Sequence, residues 1–328
     1  MIVRNVCGVA AGAALVCLAA AVPLAVSTQS ALPQARTIKL INPYPPGGTA
    51  DIIARLVTEQ INRTHGATFV IENRPGAGTV IGADVVARAA PDGNTLLLSS
   101  SAVLINAHMR KLNFDPFASF EPICNLSQSP QLLVVNADSP LKSMADLVAL
   151  AKAKPGEVAI ASTGPASPSH IGIEAFRRAT KLVITYVPYP GNAPTVNAVL
   201  GGHVTAGIAN YADLVGHLQA GKVRPLVTLT PTRIAPLPDL QTVGEAGYKE
   251  LEYMLWFGTA APAKTPAPII KQLTEWFSAA RQAPEVTEKL AIQGLFPERD
   301  CGADFTAMMR REYDNYGRVI SAAGIKAE

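Results

Sequence analysis

Along residues 37–99, short runs rich in β-branched and aliphatic residues alternate with longer stretches whose apolar positions recur every three or four residues. This pattern predicts strands at Thr37–Asn42, Thr68–Glu72 and Thr95–Ser99, and helices at Thr49–Arg63 and Gly78–Ala89. Such a βαβ series implies a parallel sheet. A long connection through Phe114, Phe117 and Phe120 then leads to two strand-like runs, Glu121–Leu126 and Gln131–Asn136, which abut around Ser129-Pro130. We read that junction as a crossing between two lobes. A second α/β series follows, with helices at Met144–Ala153, His170–Ala179, Ala193–Gly201 and Tyr211–Ala220. Its strands are expected at Val158–Ser162, Ile184–Tyr189 and Thr205–Ala209, and Arg224–Thr230 is a strand suited to returning the chain to the first lobe. Beyond the Pro-rich Pro231–Pro238 and a turn at Gly244–Gly247, helices are expected near Pro266–Ala280, Pro284–Gln293 and Ala303–Ala323. On the last, Phe305, Met309, Tyr313, Tyr316 and Ile320 fall three and four apart and form a core-facing stripe.

The length of 328 residues exceeds what one hydrophobic core usually serves, which agrees with two lobes. The expected architecture is α/β, with lobe 1 at 36–130 plus 229–328, lobe 2 at 131–228, and two connecting segments as hinges. Residues 1–35 read as a cleaved export signal. Arg4 precedes an uncharged run from Val6 to Val26, and the polar Ser27–Ser30 opens a cleavage window of about 27–35. Export places the mature chain in the periplasm, where Cys124 and Cys301 can either pair or stay as two buried thiols; Cys7 and Cys17 leave with the signal. A net charge of +3, with no run of Lys or Arg beyond two, gives no footprint for nucleic acid. A monomer is expected.

Asn42–Asp51 (NPYPPGGTAD) joins the first strand to the first helix. Prolines stiffen this turn, glycines let a ligand approach the backbone, and Thr49 or Asp51 can cap a helix whose amide groups favour an anion. Either the segment is a tight turn with an ordinary cap, or it holds a carboxylate. Ser162–His170 (STGPASPSH) repeats the arrangement in the second lobe, so that two anion sites would grip one small acid. A third strand-to-helix loop, Pro188–Pro194, offers Tyr189 as a lining residue.

Other motifs carry less. Gly76–Gly82 resembles a dinucleotide loop with one residue too many, and Leu98-Ser99-Ser100 stands where an acidic residue would end the next strand. Ser139–Lys142 spells SxxK without its companion motifs. His65, His108, His170, His203 and His217 show no metal-ligand spacing, and no GxSxG elbow is present. No cofactor is expected, and capture fits better than catalysis, with an exported enzyme or a receptor for a membrane sensor kinase as alternatives.

Taken together, Tyr44-Pro45-Pro46-Gly47-Gly48 with Asp51, Glu72–Gly78, Thr163-Gly164 with Ser169-His170, Val187–Tyr189 with Gly191 and Pro194, and Trp256–Gly258 with Ala261-Pro262 resemble the Bug family. These are the extracytoplasmic receptors of tripartite tricarboxylate transporters. The resemblance spans about Thr37 to Lys326. It implies a type II periplasmic-binding-protein fold, a small organic acid held partly through ordered water, and membrane transporter subunits as partners. Carried over residue by residue, it places Tyr44, Pro46, Gly47, Gly48 and Asp51 around the water-bridged carboxylate. It places Thr163, Gly164, Ala166, Ser167 and His170 on the other face, Asn73–Gly78 on the first-lobe rim, and Trp256 near that rim. The chain departs from the family pattern at Thr205, where an acidic residue is usual, through Gly207–Asp213, and at Pro165 and Pro168.

Overall fold

The computed structural model describes residues 37–325; the expected export signal, with Cys7 and Cys17, lies outside the described residues. The chain runs β1 (Thr37–Asn42), α1 (Thr49–His65), β2 (Thr68–Asn73), α2 (Val80–Ala87), β3 (Thr95–Ser100), α3 (Ser101–Met109) and β4 (Phe120–Ser129). It continues through β5 (Gln131–Asn136), α4 (Met144–Ala153), β6 (Ala159–Thr163), α5 (Pro168–Thr180), β7 (Thr185–Tyr189), α6 (Asn192–Leu200), β8 (Ala206–Asn210), α7 (Tyr211–Gln219) and β9 (Val223–Thr228). It closes with β10 (Leu255–Pro262), α8 (Ala267–Gln282), α9 (Pro284–Ile292) and α10 (Gly302–Ala323).

Two five-stranded sheets result, in the orders β2-β1-β3-β10-β4 and β7-β6-β8-β5-β9. Neither is wholly parallel, contrary to the expectation from the alternating pattern. In the first, β1 pairs in parallel with β2 and β3, whereas β10 runs antiparallel to β3 and β4. In the second, β6 pairs in parallel with β7 and β8, whereas β5 opposes β8 and β9. The reversed strands are the two that follow crossings. β4 runs outward to Pro130, so β5 starts at the boundary and heads away from it; β10 does the same on returning. The carboxyl ends of the forward strands in both sheets therefore face one boundary, which is where α/β sheets present ligand loops.

Each sheet buries its own core. Ile53, Val57 and Ile61 lie one helical turn apart on α1 and are fully buried against Ile38, Leu40, Leu96 and Phe277. Side chains of this kind contribute about 1.5–3 kcal/mol each when buried. In the second sheet, Leu133, Ile160, Phe176, Ile208 and Val227 form one core, and Leu132, Val134, Ala161 and Val199 form another. Past β9 the chain still packs on the second sheet. Leu229, Val243 and Leu251 belong to the second core, Tyr248 packs edge-on to Phe176 at 5.1 Å, and the Tyr253 amide bonds the Leu229 carbonyl at 3.0 Å. The return crossing thus comes just before β10.

The α10 stripe is buried as expected at Phe305, Met309, Tyr316 and Ile320, with Tyr313 partly buried beside them. The same cluster takes in Leu104 and Ile105 of α3 together with Ala166 and Ile171 from the second sheet's side, so the stripe is also a lobe-to-lobe contact. Cys124 of β4 and Cys301, which precedes α10, form a disulfide.

Candidate functional site

At the ends of parallel neighbours β1 and β2, Asn42 and Asn73 are register partners, so the loops that follow lie side by side. The first loop is built around Asp51. Its carboxylate accepts from the Gly47 amide (3.0 Å), from Arg55 (2.8 and 3.2 Å) and from Asn73 Nδ2 (3.3 Å), and Asn73 also donates to the Tyr44 carbonyl (3.0 Å). Burial pushes the Asp51 carboxyl up, but the bonds from Arg55, Gly47 and Asn73 outweigh it and hold the group below the usual carboxylate range. Asp51 and Asn73 therefore brace the turn. Gly47 sits at φ +83°, a left-handed conformation that suits glycine. Pro45, Pro46, Gly47 and Gly48 are exposed, and α1 begins at Gly48 with no side-chain cap, leaving first-turn amides for another acceptor. Tyr44 spends its hydroxyl on Ser100 Oγ at 2.6 Å, and burial pushes its phenol up to about 12.

In the second sheet, Thr163 and Tyr189 are register partners, which again sets two loops together. Here the hydroxyls are largely used internally. Ser167 caps α5 by accepting from the His170 amide (3.2 Å) and donates to the Thr163 carbonyl (2.9 Å), which Tyr186 also bonds (2.9 Å). Ser169 contacts both Thr163 Oγ1 (3.2 Å) and Ser167 Oγ (3.0 Å). Ala166, at φ +61°, is buried in the α3–α10 contact, and the His170 ring stacks on Tyr186 at 4.5 Å. Gly164 lies beside the Tyr189 backbone, and the Tyr189 ring packs partly on the second sheet's outer core. α6, by contrast, starts after Gly191 without a side-chain cap.

The two lobes meet through polar groups that the sequence reading did not single out. Asn210, at the end of β8, donates to Thr49 Oγ1 at 3.1 Å, while its own carbonyl oxygen accepts from Gln131 Nε2 at 2.7 Å. Tyr253, beside the return crossing, donates to Gln131, the first residue past the outward crossing, and Ser169 bonds Tyr253 in turn. Next to Asn210, Tyr211 covers Gly294, where any Cβ would meet its ring, and Ala212 packs on the first core. Asp213 completes the group, hydrogen-bonded to Asn192 and Thr49; burial pushes its carboxyl above the ordinary range against those two bonds. Thr49, Asn192, Asn210 and Asp213 thus converge from the ends of β1, β7 and β8. In the sequence Thr49 stands out only as a candidate cap, Asn192 only by its place just past a predicted strand, and Asn210 and Asp213 only by falling in the atypical stretch Gly207–Asp213.

Trp256, the second residue of β10, is buried edge-on to Phe305 at 5.3 Å, and its Nε1 donates to Glu312 at 3.0 Å. Gly76–Gly82 forms a one-turn 3₁₀ segment at Ala77–Thr79 leading into α2, with Asn106 bonding the Gly78 carbonyl at 2.8 Å. No group of His, Cys, Asp or Glu suited to a metal occurs among the described residues.

Residues 53–325 match the family model described as the tripartite tricarboxylate transporter family receptor. The chain is 35% identical to Protein BugT of Bordetella pertussis, over 89% of this chain and 90% of that one. Among solved structures, it resembles an R. palustris protein determined with adipate (32% identity, TM-score 0.82, covering 89% and 99% of the two chains). It also resembles MatC of Rhodopseudomonas palustris with bound malate (29%, TM-score 0.78, covering 87% and 99%).

Proposed function

Since the chain belongs to the tripartite tricarboxylate transporter receptor family, whose members are solute-binding proteins, we propose that it captures a small organic carboxylate between its lobes and presents it to membrane transporter subunits. The observation that carries this reading is the uncapped N-terminus of α1, set behind the exposed Pro45–Gly48 turn and facing second-lobe loops that touch it through Thr49. Helix-end amides neutralise a carboxylate without a basic side chain. The adipate and malate in the two R. palustris structures support the ligand class.

In this reading Gly47, Gly48 and Thr49 contact the acid, Tyr44, Asp51 and Asn73 hold their turn, and Pro46 forms its rim. Thr163, Gly164, Ser167, His170 and Tyr189 shape the opposite wall, and Ala166 serves closure. The lobes comprise residues 37–130 with 254–325, and residues 131–253. The chain acts as a monomer in the periplasm after loss of its N-terminal signal, and releases its ligand chemically unchanged. No helix among the described residues is long and apolar enough to cross a membrane.

The test is a thermal-shift screen of organic acids on the chain from residue 36 onward, refolded free of ligand. A ligand bound only by the folded form stabilises it by about 2.7 kcal/mol at 100 times its Kd. One or more acids that raise the melting temperature with concentration, and are recovered intact by mass spectrometry, support capture. Turnover of a panel member with no such shift overturns it.

A further inference from the structure

The group at Thr49 has an unusual chemical balance. Asp213 Oδ2 and Asn192 Oδ1 are both buried acceptor oxygens without a hydrogen-bond donor. Asp213 forms no ion pair among the described residues, and its only side-chain partners are Asn192 and Thr49. An acceptor enclosed without a donor is costly, and an enclosed carboxylate without a cation more so. One residue away stands the opposite need: the first-turn amides of α1 are donors without a side-chain acceptor. Thr49 belongs to both poles. Its backbone opens α1, while its hydroxyl accepts from Asn210 and bonds Asp213.

A ligand that carries only carboxylates satisfies the amides but sets its charge against Asp213. One with a carboxylate and an ammonium on the same carbon meets both poles across the span of a single residue. Building on the carboxylate-capture reading, we propose that the ligand is an amino acid whose carboxylate is held at the α1 N-terminus and whose ammonium is received by Asp213 Oδ2 and Asn192 Oδ1. Asp213 then sets specificity. It rejects unsubstituted acids through like charge, and it favours amino acids through a charge-assisted hydrogen bond in an enclosed site.

The experiment is calorimetric titration of the ligand-free chain with acids paired by their amino group: succinate and aspartate, glutarate and glutamate, adipate and 2-aminoadipate, propionate and alanine. In at least one pair the amino member is expected to bind about 100-fold more tightly, as for other enclosed charge pairs. Asp213→Asn removes most of that ratio and tightens the unsubstituted acid, since the repulsion goes. Its unliganded melting temperature stays at or above the parent's, because a buried unpaired charge has been removed, and this separates lost recognition from lost folding. Unsubstituted acids that bind as tightly as or tighter than their amino partners, with a ratio indifferent to Asp213→Asn, overturn the inference and leave carboxylate capture standing. If neither kind of acid binds, carboxylate capture itself fails and takes the inference with it.

Discussion

Single side chains in the site divide into those that face a ligand and those that hold others in place, and Asp51 shows how residue type alone misleads. A carboxylate beside a glycine turn invites a ligand role, yet its oxygens are occupied by Gly47, Arg55 and Asn73. Arg55 is largely exposed, so solvent screens part of its two-point pair with the buried Asp51, and the Gly47 amide and Asn73 bonds add to it. Asp51→Ala is expected to cost about 1.5–3 kcal/mol in chemical denaturation and to weaken acid binding by loosening the Pro45–Gly48 turn. Because its folded pKa is lowered, this stabilisation is complete above the ordinary carboxylate range and is lost as pH falls through the folded value. An Asp51→Ala chain should therefore show a shallower acid limb of stability than the parent, and equal limbs would remove Asp51 from its bracing role. The loop itself was legible, since prolines, glycines and an acid between a strand and a helix are local chemistry. Asp213 was not: it reads as an ordinary first-turn acid of α7, and only the meeting of two sheets distant in sequence puts it on Thr49. The one hint was that Gly207–Asp213 departs from the family pattern.

Among the helices, those with one apolar face are legible in the sequence, and α3, buried nearly all round, is not. α1, α5 and α10 show a clean stripe and were predicted to within a few residues. α3 was read as connection because Val103, Leu104, Ile105 and Asn106 are all buried and leave no periodic contrast, although Ser100 caps it at the Ala102 amide. β10, buried at every residue from Leu255 to Pro262, escapes the sequence pattern because Gly258 and two alanines lower its strand character. α10 supports a prediction of its own. Glu312 is enclosed where Trp256 donates to it, and burial pushes its carboxyl up to about 7, against the bond from Trp256 and the nearby Tyr316 and Arg311. An acid with a raised folded pKa keeps its proton longer in the native state, so its contribution is greatest at low pH and declines as pH rises from about 4.5 to about 7. The decline should amount to about 2–3 kcal/mol. Glu312→Gln should flatten stability across that window in urea titrations at several pH values, and an unchanged slope would show that another group governs it.

At the scale of the whole molecule, the disulfide and the lobe contact act on different equilibria. Cys124 and Cys301 are 177 residues apart in sequence, and linking them restrains the unfolded chain, so Cys301→Ser is expected to cost about 2–5 kcal/mol of stability. Neither cysteine touches the loops at the strand ends, so ligand affinity measured well below the melting transition should change little. A loss of affinity parallel to the loss of stability would contradict that separation. Ile171 poses the converse case. It projects from α5 into the apolar cluster of Leu104, Ile105, Met309 and Ile320, and with Ala166 it supplies the second lobe's share of that contact. The contact stabilises the closed arrangement only, because separating the lobes returns its surface to water. Apparent affinity equals intrinsic affinity scaled by the fraction of molecules in the competent state. Ile171→Asp would set a charge into the closed contact while leaving it hydrated when the lobes part, so the closed fraction falls and the folded cores remain. A tenfold fall in that fraction needs only about 1.4 kcal/mol, less than the cost of enclosing an unpaired carboxylate. The variant is therefore expected to bind its acid at least about tenfold more weakly, to melt close to the parent when unliganded, and to scatter X-rays with a larger radius of gyration. Saturating ligand should bring that radius back to the parent's value. A variant whose radius and affinity both match the parent would show that the α3–α5–α10 contact does not control closure, and that the polar junction at Thr49, Asn210 and Asp213 does so alone.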